Sequence, residues 1–195
     1  MKRLDFLLKN IKPGKILDVG NLDKQGKIHK ILIEKLPKSE IFGIDVSDQE
    51  KLGLSFANQA IGSMEEMEFP DNFFDSVYMG QVLEHSWMPK NLLDKVFKVL
   101  KPGGVLIIDV PNVYSLSRMF KYMITGKDVI LGNPDHKIFY SKAMLEKLLS
   151  SSRFKVKEMT TENVFAFKGK LFPMPYFWMF KNYGECLMAL AQKNG

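Results

Sequence analysis

The sequence predicts an α/β protein built on a doubly wound, mostly parallel sheet. Two observations carry that prediction. Across roughly the first 110 residues, short β-rich runs alternate with segments of helical apolar period, the pattern of βαβ units. Glycine and proline punctuate the joints: Gly20 after the first β-rich run, Pro37 after the first helical one, and Pro102-Gly103-Gly104 after the second. With 195 residues, 46% of them hydrophobic, the chain is long enough to bury roughly 70% of its unfolded surface around one core. The expected unit is a single domain over 1–195.

Residues 15–19 (Lys-Ile-Leu-Asp-Val) form the first predicted strand, ending at Gly20. A helix is expected over 24–36, with Ile28, Ile31, Leu32 and Leu36 on one face. Residues 40–45, 59–61 and 74–79 supply the next three strands. A second helix, 91–100, repeats the period through Leu92, Leu93, Val96, Phe97 and Leu100 before the Pro-Gly-Gly turn leads into a fifth strand at 105–110. The last third is less regular. Residues 114–125 read as a helix stopped by Gly126, and Ser141 as the N-cap of a helix at 142–151 carrying Leu145, Leu148 and Leu149. Residues 154–160 alternate like a strand, and 185–193 form a final one after a turn at Gly184. Two irregular pieces remain, 112–140 and the aromatic insertion 163–183.

Composition excludes several functions. Hydrophobic and charged contents of 46% and 26% exclude a disordered chain. The lone Cys186 forbids an internal disulfide and any multi-thiolate zinc site. No apolar leader follows Met1-Lys2-Arg3, so a cytoplasmic location is expected. The longest apolar run, 171–180, has ten residues and two prolines, and cannot span a bilayer as a helix. The net charge of +6 raises the question of nucleic acid. Only Arg3, Arg118 and Arg153 among the 28 basic residues are arginines, and lysines are spread from Lys2 to Lys193. Base-reading surfaces favour the bidentate guanidinium, so no nucleic-acid partner is expected.

In a doubly wound sheet, ligands bind beyond the carboxyl ends of the strands, where strand order reverses. Those ends carry residues 18–23, 45–48, 61–64, 79–85 and 109–112, which hold most of the polar chemistry of this half. Ile16-Leu-Asp-Val-Gly20 turns sharply into a helix whose free N–H groups attract a polar or anionic group, with Asn21 or Asp23 as its cap. Asp45, 25 residues after Gly20, can accept both hydroxyls of a ribose, or serve as a helix cap or loop aspartate.

The run Phe73-Phe-Asp-Ser-Val-Tyr-Met-Gly-Gln-Val-Leu-Glu-His85, followed by Lys101-Pro-Gly-Gly-Val-Leu-Ile-Ile108, adds a resemblance. Over about residues 14–160 the chain resembles a class I S-adenosylmethionine-dependent methyltransferase, of the branch with an FD-x-V … LEH … LKPGG pattern. The resemblance implies a Rossmann-like seven-stranded sheet with its last strand antiparallel, and S-adenosylmethionine as cofactor. It sets Asp18, Gly20 and Asn21 around the methionine end, Asp45 on the ribose and Val46 beside the adenine. Ser63 and Met64 would border the adenine, with serine where the family often has an acid, and Gly80 and Gln81 would run beside the methyl group. One departure stands out. The usual glycine-x-glycine after the aspartate is replaced by Gly20-Asn-Leu-Asp-Lys-Gln-Gly26. Asn21 tolerates a left-handed turn, but Leu22 and Asp23 add bulk and charge.

Three histidines are available as bases. His29 is expected on the surface of the first helix. His85 sits in the loop where a substrate would enter, as a general base or as a hydrogen-bonding support for Trp87 and Pro89. His136 resembles a recurrent family position facing the cleft. No metal is expected, because no His/Asp/Glu set shows ligand spacing. The piece 112–140 reads as a lid. The insertion 163–183 interleaves eight aromatics with Lys168, Lys170 and Lys181, which suits a peripheral membrane contact, a lipid-like acceptor or a hairpin or helix packed on the sheet edge. The resulting expectation is methyl transfer from S-adenosylmethionine to a small-molecule or lipid-like acceptor, preferably at oxygen. The alternatives are a methyltransferase fold retained as a scaffold, and a nicotinamide oxidoreductase, which would need a glycine-x-glycine-x-x-glycine turn that 20–26 does not supply.

Overall fold

The computed structural model describes residues 2–63, 65–126, 133–162, 164–167, 170–173 and 182–194. The β-rich runs become β1 (Lys15–Val19), β2 (Glu40–Asp45), β3 (Gln59–Ile61), β4 (Phe74–Gly80) and β5 (Leu100–Pro111). The last third adds β6 (Phe154–Thr161), β7 (Val164–Phe167), β8 (Lys170–Pro173) and β9 (Cys186–Lys193). Seven strands form one sheet in the order β3-β2-β1-β4-β5-β9-β6. The five strands of the first half run parallel; β9 runs antiparallel to both β5 and β6, as the resemblance implies. Strand order reverses between β1 and β4, which opens the crevice at their carboxyl ends.

Alternating side chains sort the strands onto two cores. Leu17, Val77, Met79, Leu106 and Ile108 face one side, where α3 (Pro89–Val99) adds Leu92, Leu93 and Val96, and α5 (Lys142–Ser151) adds Leu145 and Leu149. Ile16, Tyr78, Val105 and Ile107 face the other, under Phe6 and Leu7 of α1 (Arg3–Asn10) and Leu32 of α2 (Asp23–Lys35). Ser141 accepts a hydrogen bond from the Met144 N–H and caps α5. Ser115 does the same for α4 (Leu116–Thr125), which ends at Gly126 in the left-handed conformation.

Several elements differ from the sequence expectation. α1 is an addition: eight residues give too short a period to read, and tertiary burial of Phe6 and Leu7 fixes it. Pro102-Gly103-Gly104 does not separate a helix from a strand but lies inside β5. The register slips there between Phe74↔Leu100 and Ser76↔Val105, with Gly103 at φ 75° absorbing the bulge. α3 begins at Pro89, a residue suited to a first helical turn. α2 opens with Lys24, Gln25 and Gly26 all left-handed.

Within 163–183 the backbone of β7 and β8 pairs as an antiparallel hairpin. The side chains of 163–181, and so the expected membrane contact, lie outside the described residues, as do residues 127–132 of the lid. No described helix is long and apolar enough to cross a membrane.

Candidate functional site

A cleft of about 1120 Å³ opens at the carboxyl ends of β1, β2 and β4, a size suited to a small-molecule or cofactor site. Asp18, Gly20, Asn21, Asp45, Val46, Ser63, Gly80, Gln81, His85 and His136 all line it. Met64 lies outside the described residues.

The wall formed by β1 and β2 is fixed by the main chain. Gly20 turns at φ +71°, and a Cβ there would stand 2.6 Å from Val82 Cγ2. Both oxygens of Asp45 accept backbone hydrogen bonds, Oδ2 from the Leu22 N–H at 3.0 Å and Oδ1 from the Ser47 N–H at 2.8 Å. That grip ties β2 to the loop after β1, and each oxygen keeps a lone pair for a further donor. Val46 stands beside it, 69% exposed.

Asn21 does not take a left-handed turn, nor does it cap α2. Its side chain is buried and exchanges two hydrogen bonds with Gln59, at 2.7 and 3.0 Å, over the bare backbone of Gly43. The left-handed residues are Lys24 and Gln25, each costing about 1–2 kcal/mol, with Gly26. Asp23 is exposed at the cleft and Leu22 is buried in the wall.

His29 is the clearest correction. It is fully buried, with Nδ1 3.0 Å from Asp18 Oδ2 and its ring 4.6 Å from that of Phe56. Burial raises the Asp18 carboxyl above its ordinary range, against the opposing pull of His29. His29 Nε2 meets no partner among the described residues. The sequence was misleading because Ile28 and Ile31, on the flanks of α2, suggest an apolar face, whereas the inward line runs through Gly26, His29 and Leu32.

At the end of β4, Gln81 (φ 58°) donates its N–H to the Asp109 carbonyl and its side-chain amide to the Asp109 carboxylate, at 2.9 and 2.8 Å. Tyr78 (2.8 Å) and Arg3 (2.9 Å) donate to that same carboxylate, so Asp109 is paired on all sides within its burial. Asp109, within the strand end 109–112 but given no role there, and Arg3, which the sequence did not point to, thus rigidify the floor beside Gly80. The Cys186 thiol in this corner is buried and pushed up to about 12, which leaves it unreactive.

The opposite wall is looser. After Gln81 a single 3₁₀ turn (Leu83–His85) presents Glu84 and His85. Glu84 is fully buried and beyond its own backbone N–H neither carboxylate oxygen has a partner among the described residues, so burial pushes its carboxyl up to about 8. The Glu84 carbonyl accepts the N–H groups of Lys137 and Ile138, at 2.7 and 3.2 Å, which staples the segment bearing His136 onto the turn. The His85 and His136 rings meet edge to face at 4.9 Å. Burial, then His85 and Arg118, lower the His136 pKa, which favours its neutral form. A second cavity of about 190 Å³ shares Asn133 and His136 with the cleft and is lined as well by Arg118 of α4 and by Phe139. Sequence spacing could not reveal Glu84, because its companions stand at 85 and 136.

Residues 17–108 match the family model described as a methyltransferase domain. A probable S-adenosylmethionine-dependent methyltransferase of Mycolicibacterium smegmatis is 34% identical over 97 residues, 50% of this chain and 35% of that protein. A sterol 24-C-methyltransferase of Aspergillus fumigatus is 34% identical over 106 residues, 49% of this chain and 27% of its own length. The match thus spans about a third of the length of these relatives. Among solved structures, an S-adenosylmethionine-dependent methyltransferase from Archaeoglobus fulgidus superposes with a TM-score of 0.72 at 19% identity, over 98% of this chain and 91% of that one.

Proposed function

We propose that this chain, a member of the class I S-adenosylmethionine-dependent methyltransferase family, transfers a methyl group to a small-molecule or lipid-like acceptor, preferably at oxygen. The family cofactor is S-adenosylmethionine, which when bound supplies an electrophilic methyl on a sulfonium. The observation that carries the reading is the carboxylate of Asp45, anchored by two backbone N–H groups at the mouth of the cleft with lone pairs to spare. That is the chemistry a ribose diol requires, and the residues present fit the cofactor.

In this assignment Asp45 takes the ribose hydroxyls, Val46, Ser63 and Met64 flank the adenine, and Asp18, Gly20 and Asn21 hold the methionine end. Gly80 and Gln81 shape the passage to the acceptor, and their rigidity through Asp109 serves alignment, which can supply much of the rate of an in-line displacement. His85 and His136 stand on the acceptor side, where an oxygen acceptor must shed its proton. A lipid-like acceptor is supported by exposed apolar side chains: Trp87 lines the cleft and is 70% exposed, and in α4, whose Arg118 lines the adjoining cavity, Phe120, Tyr122 and Met123 are each more than half exposed. The sterol methyltransferase relative acts on such a molecule by its name. The reading includes one domain over 1–195, with 112–140 as lid.

The rival is a scaffold that keeps the fold without the reaction, and the left-handed run Lys24–Gly26 in the cofactor loop favours it. Calorimetric titration with S-adenosylmethionine and S-adenosylhomocysteine decides. Micromolar binding, on the order of −8 kcal/mol, weakened about 100-fold by Asp45→Ala, supports the transferase. A folded chain that binds neither ligand at millimolar concentration sinks it. Undiminished affinity in Asp45→Ala removes the ribose assignment.

A further inference from the structure

Glu84, His85 and His136 converge on the acceptor side of the cleft, with one donor atom from each lying within 4.8 Å of the others. The three are delivered by separate pieces of chain, and their approach is held by main-chain bonds. Glu84 and His85 share a 3₁₀ turn, and the segment bearing His136 is stapled to that turn through the Glu84 carbonyl.

Two observations point to a missing partner. Glu84 is fully buried, yet beyond its own backbone N–H neither of its carboxylate oxygens meets a donor or acceptor among the described residues. Protonation alone does not repair this, since the O–H of the neutral acid would still lack an acceptor. A cation shared with the neighbouring imidazoles would satisfy it. The second observation is the orientation of His85. Its Nδ1 lies 3.1 Å from the Asp135 carbonyl oxygen, an atom that only accepts. Nδ1 therefore carries the proton, and in the neutral ring Nε2 presents its lone pair. A ring whose far nitrogen donates to a carbonyl is the usual arrangement of a metal-binding histidine.

We propose that Glu84, His85 and His136 form a site for one divalent first-row transition ion, with Zn²⁺ the best match to two imidazoles and a carboxylate. Donors at about 2.0–2.2 Å from one tetrahedral ion stand roughly 3.3–3.6 Å apart, so the trio, within 4.8 Å of one another, closes around an ion with side-chain shifts of about an ångström. Two nitrogen donors disfavour Mg²⁺, which prefers oxygen ligands. Three protein ligands leave a coordination position open toward the cleft, the pattern of a reactive rather than a structural site. This goes beyond the methyl-transfer reading, which does not need it. Where both hold, an acceptor oxygen binds at the open position and its O–H proton is released to water, with the imidazoles acting as ligands instead of bases.

The test is metal uptake by the full chain, stripped with a chelator and then dialysed against micromolar Zn²⁺ or Co²⁺. One equivalent per chain is expected. His85→Ala and His136→Ala should each weaken binding at least tenfold, as should Glu84→Gln. Because Glu84 is buried, its variant could unfold, and the two partly exposed histidines then decide. The Co²⁺ absorption spectrum should show nitrogen and oxygen ligands; a thiolate charge-transfer band would move the ion to Cys186 and overturn the site. Uptake below about a tenth of an equivalent, uptake unchanged in the double histidine variant, or displacement by equimolar Mg²⁺ would each overturn it as well. Asp45→Ala separates the two readings. It should keep full metal uptake while losing S-adenosylhomocysteine, and uptake by a chain that binds no cofactor supports the ion site while sinking the transferase.

Discussion

On the β1–β2 side of the cleft the polar groups are tied down: Asp45 to two backbone N–H groups, Asn21 to Gln59, Asp18 to His29. Across the cleft, the Glu84 carboxylate meets no other residue's hydrogen-bonding group among the described residues and His85 is held through one nitrogen. One wall spends its polar groups on its own rigidity, and the other leaves them available. Under the proposed function, the wall that holds the cofactor gains from being built in advance. The wall proposed to meet the acceptor gains from open valences, and α4, whose Arg118 lines the adjoining cavity, has no buried residue.

The same residue type on the two walls offers the sharpest way to break this contrast. His29→Ala removes the partner of a buried carboxylate and leaves a void beside Phe56, and should cost about 2–4 kcal/mol of folding stability. For a chain of this size, that lowers the melting temperature by roughly 5–15 °C. His136→Ala, on a partly exposed segment, should stay within about 0.5 kcal/mol of the parent. Denaturant titration of both variants measures the difference. Equal losses would show that the two walls are equally structural.

A smaller effect is expected from two glycines lining the same cleft. Gly20→Ala places a Cβ at φ +71° against Val82 and should cost about 1–3 kcal/mol, with cofactor affinity falling in parallel. A Cβ on Gly62 would meet nothing within 4 Å, so Gly62→Ala should be nearly neutral. A neutral Gly20→Ala would mean that the turn after β1 relaxes freely, and the pre-built wall would lose its main support.

This contrast also explains what could be read from the sequence. β1, β2, β4 and the helical face of α3 announce themselves because burial in a parallel sheet demands apolar runs and periods. That Asp45 would line the cleft was legible for a similar reason, because it closes a strand of the doubly wound sheet, where ligands gather. His29 was not, because residue type argues for the surface while its place on the Gly26–His29–Leu32 line of α2 turns it inward, and only the Asp18 carboxylate makes that burial tolerable. Glu84, His85 and His136 stayed hidden as a group because their meeting depends on two hydrogen bonds to one carbonyl, between residues more than 50 positions apart. Local pattern carries the wall made of strands; tertiary contact alone carries the other.

The smallest stability effect, and the most specific functional one, belongs to α4. Met119, Phe120, Tyr122, Met123 and Ile124 are all exposed, with Met123 at 78%. At its amino end Arg118 donates to the carbonyls of Asn112 and Glu185, which fixes that end beside the smaller cavity shared with His136. A helix anchored at one end with apolar residues facing water contributes little to the core, so Met123→Ser should change stability by less than about 0.5 kcal/mol. If α4 covers a lipid-like acceptor, the same change should raise the KM for that acceptor severalfold and leave kcat and S-adenosylhomocysteine binding unchanged, because the methionine would grip the acceptor equally in the ground and transition states. A stability loss above about 1 kcal/mol would place Met123 in the folded core. Unaltered KM across a series of acceptors of increasing chain length would remove α4 from the acceptor wall, leaving the 3₁₀ turn and the His136 segment to choose the substrate by themselves.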